Sequence, residues 1–289
     1  MHIEFHADDY GMFPQQSGEI CRCITDGVLN GVSIMPNSPY LEPCMAMLPE
    51  GVAVTIHLTL YEGKAMGGAK APHLQDREGN LSCSFGKLLL ISYLPFLRER
   101  YLGELKEELL AQIRAGMQYC GDSGLRLDGH GHYHMIPVVF DALAQVIREN
   151  DLKVSFIRIP EEDIALYKAH AGDIPENGRL NPLKAIILNT LAGRNRRRYP
   201  ELFSGLTKTY FMGVYLSGHM SLENLQPLLT DAVRRAGEAG KDMEILFHPG
   251  YVSKAADIAQ ITSRADREFM TSEWRQREGE AVRRIGDAI

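Results

Sequence analysis

The sequence lacks most of what would mark it as secreted, membrane-spanning or nucleic-acid-binding. Among its 289 residues only five are cysteines: Cys21, Cys23, Cys44, Cys83 and Cys120. An odd, irregularly spaced set fits reduced thiols in a cytoplasmic protein better than a disulfide framework. Cys21 and Cys23 have no second pair with which to complete a metal site, and read as small buried hydrophobes of a helix. No apolar run is long enough to cross a bilayer. The nearest, Leu88-Leu89-Leu90-Ile91, soon meets Pro95 and a charged stretch. An apolar signal segment ahead of the first strand is also missing. Positive charge is not in excess: the net charge of −6 argues against nucleic acid or an anionic membrane surface as the main partner. No Gly-x-Gly-x-x-Gly follows the first strand, which weakens a dinucleotide reading. With no repeat, low-complexity tract or clear linker, one domain over residues 1–289 is expected.

What the sequence does contain is strand and helix in alternation. Ile3-Glu4-Phe5-His6-Ala7 alternates apolar and polar, as a strand does. A helix over Ser17–Asn30, stopped at Gly31, leads to a strand at Val32–Met35 and another at Val52–Ile56. The polar, glycine-rich stretch Glu62–Ser84 is long enough to be a functional loop. Two helices broken near Pro95 fill Phe85–Tyr119, before a strand at Leu125–Asp128 and a helix at Val138–Asn150. Further strands fall at Val154–Arg158, Thr209–Val214 and Met243–Phe247, with helices at Ile164–Ala171, Leu183–Leu191, Ser221–Ala239 and Ser272–Ile285. About seven β-then-α steps predict an α/β protein whose parallel strands close into a (β/α) barrel. An open doubly wound sheet is the alternative.

The chemistry-bearing residues fall at the carboxyl ends of these strands. Asp8 and Asp9 end the first, His57 the third, and Arg158 another; His130 follows Asp128 and His248 follows Phe247. In a parallel barrel those ends share the face where active sites are built. Two imidazoles and a carboxylate bind a divalent metal while leaving positions open for water and substrate. Two adjacent carboxylates repel unless water or a cation intervenes. If one aspartate binds the cation, its neighbour can remain ionised and act as a base. Strand alternation predicts that Asp8 and Asp9 point in different directions. In the tract Asp128-Gly129-His130-Gly131-His132-Tyr133-His134, histidines two apart share a face if the strand continues. Each item alone has a plainer reading. An Asp-Asp pair is most often an Asx turn or helix cap, and His248-Pro249-Gly250 can be a simple turn. Their joint placement favours a site. His2, His73 and His170 read as surface residues, Trp274 as packing, and Arg194–Arg198 as a solvated helix end; His219 is undecided.

The same residues carry a family resemblance. His6-Ala7-Asp8-Asp9-Tyr10-Gly11, Ile56-His57-Leu58-Thr59-Leu60, Leu127 to Pro137, and Glu244 to Gly250 appear in order along the chain. Together they resemble the YdjC-like carbohydrate deacetylases, which include chitooligosaccharide deacetylases. The stretch Phe211–Met220 is similar to a hopanoid-associated branch. The resemblance implies a distorted β/α barrel with one divalent metal, Mg²⁺ by family, held by Asp9, His57 and His130. It implies Asp8 as general base and His248 as acid. Arg158 matches a position lining the pocket, and His132 and His134 are expected with it on the substrate side. Ligand type alone suits Zn²⁺ or another transition ion better. Where the family has asparagine and serine this chain has His6 and Gly129, which alters the surroundings of the ligands. The expected activity is metal-dependent hydrolysis of the acetamide of an oligosaccharide or glycolipid. Hydrolysis of another C–N bond such as a lactam, or a non-catalytic sugar-binding role, is the alternative. Oligomeric state, including a homo-oligomer, is left open.

Overall fold

Glu4, His6 and Asp8 alternate with Phe5 and Ala7 along the first strand, and this alternation sets the architecture. A parallel strand buried on both faces by apolar layers reads as a continuous hydrophobic run. Here one face is polar, so the sheet offers an apolar side to helices and a polar side to itself. The computed structural model describes residues 1–121, 124–175, 181–261 and 263–288. Its strands are β1 (Ile3–Tyr10), β2 (Gly31–Ile34), β3 (Ala53–Leu58), β4 (Leu125–Gly129), β5 (Val154–Ile157), β6 (Thr209–Met212) and β7 (Asp242–Phe247). They form one sheet in the order β5-β4-β3-β2-β1-β7-β6, with every ladder parallel.

The sheet is curled. Arg158, just past β5, reaches Glu244 on β7 at 2.7 Å and Asp8 on β1 at 2.8 Å, across the inside of the curve. Arg126 on β4 likewise reaches Glu4 on β1 at 2.6 Å. Between β5 and β6 no ladder forms among the described residues. One backbone bond, from Thr207 N to Ser155 O at 3.2 Å, spans that seam. The result is the barrel the alternation predicts, distorted as the resemblance implies and open along one side.

Helices cover the outer face. Those at Pro14–Thr25, Pro95–Met117, Pro137–Glu149 and Pro182–Arg198 each begin on proline, where the missing N–H has no intrahelical partner to lose. Outward strand residues such as Val32, Ile34, Ile56, Leu127 and Ile245 are fully buried beneath them. Each such burial is worth about 1.5–3 kcal/mol. Sequence periodicity placed most elements and missed some boundaries. The first helix starts at Pro14 and stops at Thr25, ahead of the Asp26-Gly27 turn, rather than spanning Ser17–Asn30. The helix expected over Leu183–Leu191 continues to Arg198. Two short helices, Ala255–Ile258 and Arg264–Met270, lie where none was anticipated.

Inside the curve the side chains form a buried polar network. Glu4 accepts from Arg126 at 2.6 and 2.7 Å and pairs with His6 Nδ1 at 2.7 Å. His6 Nε2 lies 2.7 Å from Ser33 Oγ, which donates to Asp128. Burial by itself raises the Glu4 carboxyl, but His6, Arg126 and Arg158 outweigh it and hold the group at about 2. A folded-state value below the ordinary 4.5 contributes stability above that pH, lost as pH falls towards 2. Glu4→Gln should therefore cost about 3 kcal/mol in urea unfolding at neutral pH, where it leaves buried cations unpaired. The gap to wild type should narrow at pH 3. An equal loss at both pH values would contradict the ion pairing.

Candidate metal centre and active site

At the end of β1 the backbone leaves the strand conformation. Asp9 has φ of 66°, and the β1–β2 register shifts between Ala7 and Tyr10. Aspartate tolerates this left-handed region better than most residues, at a cost of about 1–3 kcal/mol. The turn defeats strand alternation and brings Asp9 round to the side of Asp8. His57 Nε2 lies 3.8 Å from Asp8 Oδ2 and 3.6 Å from Asp9 Oδ1. The expectation that the two aspartates point apart is thus corrected: both face one imidazole, and what distinguishes them is their other partners.

His57 is held from behind. It pairs in register with Asp128 across the β3–β4 ladder, and its Nδ1 lies 2.6 Å from Asp128 Oδ1. That bond turns Nε2 towards the aspartates, the usual arrangement for an imidazole poised to bind a metal. His130 follows β4 directly, and its Nδ1 lies 3.0 Å from Asp9 Oδ1 and 3.2 Å from His57 Nε2. The ring of Tyr61 stacks on His130 with centroids 4.8 Å apart.

Do these three donors fit one ion? Their separations are 3.0, 3.2 and 3.6 Å. Donors at about 2.0–2.2 Å from a shared cation lie about 3.0–3.5 Å from each other, so the triangle has the right size. Asp9 Oδ1 is buried and faces the two imidazoles rather than a guanidinium, as a ligand atom shared with them would. Electrostatics agree. Burial disfavours charge on His57, yet Asp128, Asp8 and Asp9 together push its pKa up to about 9. The surrounding acids thus attract a positive charge, which a cation can supply instead of a proton. Two other acid–histidine groups, Glu4-His6-Glu244 and His6-Asp8-Asp128, are close enough to share an ion. Their carboxylates already accept from Arg126 or Arg158, so a cation there would face guanidinium.

Asp8 has different neighbours. Arg158 Nη1 donates to both its oxygens, at 2.8 and 3.0 Å, and His248 Nε2 lies 3.9 Å from Oδ2. Burial raises the Asp8 carboxyl, but attraction to Arg158 and His57 prevails and holds it below the ordinary value. Its neighbour Asp9 is also lowered, against burial, by His130 and Arg275.

The expected substrate-side residues lie deeper than the sequence implied. Arg158 is fully buried and binds Asp8, Asp128 and Glu244. The tract after β4 does not continue as a strand. It coils into 3₁₀ turns over His130–Met135, kinked where Gly131 and His132 take positive φ. His134 Nε2 therefore meets Arg158 O at 2.8 Å, and His132 packs against Phe211, both beneath the surface. Burial lowers the pKa of both rings. Beside His130 opens a cavity of about 550 Å³ lined by Phe85, Gly131, Tyr133, Leu183, Lys184 and Ile187.

Two site residues escaped the sequence reading. On the last helix, Trp274–Arg284, Arg275 and Glu278 are both fully buried. Arg275 donates from Nε to Gly250 O at 2.8 Å and places Nη1 and Nη2 3.4 and 3.5 Å from Asp9 Oδ2. It occupies one oxygen of Asp9 and leaves the other to the triangle. Glu278 accepts the backbone N–H of His248 and lies 3.8 Å from its Nδ1. Their i, i+3 spacing on a charged helix resembles a solvated ion pair, so nothing local marked them. Asp128 was better signalled, since it lies directly across the ladder from His57. Arg275→Met should weaken divalent-metal binding about 10–100-fold by calorimetry. Unchanged affinity in a variant with wild-type thermal stability would contradict this role for Arg275.

The family model described as YdjC-like protein matches residues 2–284. Among curated relatives, the carbohydrate deacetylase of Mus musculus is 27% identical over 260 residues, covering 86% of this chain and 77% of the relative. Those of Xenopus laevis and Danio rerio are 24% and 23% identical, covering 85% and 86% of this chain and 80% and 81% of theirs. A solved Enterococcus faecalis structure, named for cellobiose-phosphate cleavage, superposes with a TM-score of 0.60 at 18% identity. The match covers 98% of this chain and 95% of that one, and it establishes a shared fold.

Proposed function

The chain belongs to the YdjC-like protein family, and from that premise we propose that it is a metal-dependent hydrolase releasing acetate from an N-acetylated sugar. The observation that carries this reading is the Asp9–His57–His130 triangle, with Asp8 and His248 beside it. The names of the curated relatives supply the substrate class.

Asp9, His57 and His130 would hold a divalent cation, which when bound would supply Lewis-acid polarisation of the acetyl carbonyl and acidify a water. Asp8, kept ionised by Arg158, takes the water's proton. A carboxylate held below its ordinary value is a weak base, which would suit a water acidified by a bound cation. His248, within 3.9 Å of Asp8 Oδ2, delivers a proton to the leaving amine, and Glu278 fixes its backbone. General acid–base assistance of this kind contributes about 10²–10⁴-fold. Tyr133, which packs on Tyr61 with ring centroids 4.6 Å apart and lines the cavity beside His130, offers an aromatic surface to a sugar ring. The substrate is an oligosaccharide or glycolipid bearing an acetamido group. Two imidazoles and a carboxylate favour Zn²⁺ or another transition ion, whereas the family resemblance favours Mg²⁺.

An acetate-release assay across N-acetylated sugars, with metal content measured on the same samples, tests the assignment. Asp8→Asn should keep its metal and lose about 10²-fold or more in turnover. His57→Ala should lose both. Near-normal turnover in Asp8→Asn would remove Asp8 as base, and full metal content in His57→Ala would remove the triangle as the binding site.

A further inference from the structure

The exposed apolar side chains are unevenly distributed. Among the described residues twelve large hydrophobic side chains are exposed, and eight of them fall in two segments. Leu90, Tyr93, Leu94, Phe96 and Leu97 surround the junction of the helices Phe85–Ile91 and Pro95–Met117, with Phe96 80% exposed. Leu183, Ile186 and Ile187 lie on the helix Pro182–Arg198, with Leu183 69% exposed.

The helices that carry the two segments share neighbours at two points. At one end Phe85, Leu183 and Ile187 line the cavity next to His130. At the other, Arg98 and Arg194 both donate to the buried Asp141, at 2.6 and 2.7 Å. The helix Pro182–Arg198 already buries one face through Ala185, Leu188, Leu191, Ala192 and Asn195. Its opposite face carries Leu183, Ile186, Ile187, Thr190 and Arg197, at offsets of three, four, seven and fourteen residues. An outward stripe that is apolar in its first half and cationic in its second is costly in water and suited to an interface. Arg100, exposed with its guanidinium 5.9 Å from the Phe96 ring centroid, adds a second cation at the rim. No ion pair engages Arg100 or Arg197 among the described residues.

We propose that this face docks the protein on a lipid bilayer surface bearing anionic headgroups, with Phe96 and Ile186 entering the headgroup boundary and Arg100 and Arg197 meeting phosphates. Charge decides between a bilayer and a second copy. A two-fold self-contact would bring the arginines of both copies into one shared interface, whereas anionic lipid complements both rims. The overall charge of −6 does not oppose this, because exposed charges act over about one Debye length, ~8–10 Å, and the local face is what a surface senses. The inference concerns docking and is independent of the reaction at the metal centre.

Co-sedimentation of the full chain with vesicles of phosphatidylcholine, alone or mixed with phosphatidylglycerol, tests it, alongside light scattering. Wild type should partition about tenfold more onto the mixed vesicles and release at high salt. Phe96→Ser/Ile186→Ser should lower that binding about tenfold with unchanged thermal unfolding, and Arg100→Gln/Arg197→Gln should abolish the preference for phosphatidylglycerol. The proposal is overturned if wild type stays in solution with both vesicles, binds both equally, or retains full binding in the apolar double variant. A stable dimer in wild type that becomes monomeric in Phe96→Ser/Ile186→Ser would instead assign the face to self-association.

Discussion

One buried guanidinium organises the interior of the curled sheet. Arg158 extends from the end of β5 to Glu244 on β7, Asp8 on β1 and Asp128 on β4. These strands are not all neighbours in the sheet, so the cation ties its two sides across the hollow. Desolvating so many ions costs several kcal/mol for each, and their mutual attraction only roughly repays it. Stability alone would be served as well by leucine and valine, which fill the centres of most parallel barrels. The polar interior is better understood as the support of the face above it. Arg158 orients Asp128, Asp128 orients His57, and His57 presents one nitrogen to the aspartates.

The same logic applies to the strained turn at Asp9. A regular strand would send its side chain into the apolar outer layer. The left-handed conformation, together with the register shift after Ala7, instead sets a second carboxylate beside the first. Two acids so close need compensation, and it comes from different sources: Arg158 for Asp8 and Arg275 for Asp9. One aspartate is therefore doubly bonded by guanidinium, and the other turns one oxygen to His130 and His57. The division of labour arises from partners rather than from direction. The last helix contributes one of those partners although it follows the final strand by more than two dozen residues.

Much of this was legible in the chain. Alternating polarity in Ile3–Ala7, β-branched runs ended by histidine, and helices opened by proline depend on near neighbours, and local periodicity reports near neighbours faithfully. Placement of the histidines and aspartates at strand ends followed from the same reading, because strand order and a parallel sheet suffice to bring those ends to one face. For the tract His130–His134 a shared face depended on the strand continuing, and a left-handed step at Gly131 and His132 intervened. Arg158 misled for another reason: position in the chain located it at the right end of the sheet but said nothing of depth.

The sequence by itself determined the class of fold, the succession of elements and the collection of metal-binding residue types at one end of the strands, all consequences of short-range pattern. Only the tertiary structure decided which oxygen of which aspartate faces His57 and His130, that Arg158 lies under the site, and that Arg275 and Glu278 belong to it. Those outcomes depend on one backbone torsion, on the curl that joins β5 to β7, and on a helix returning across more than 260 residues of chain to Asp9. Side-chain direction and long-range proximity are properties of the packed chain, and no local pattern encodes them.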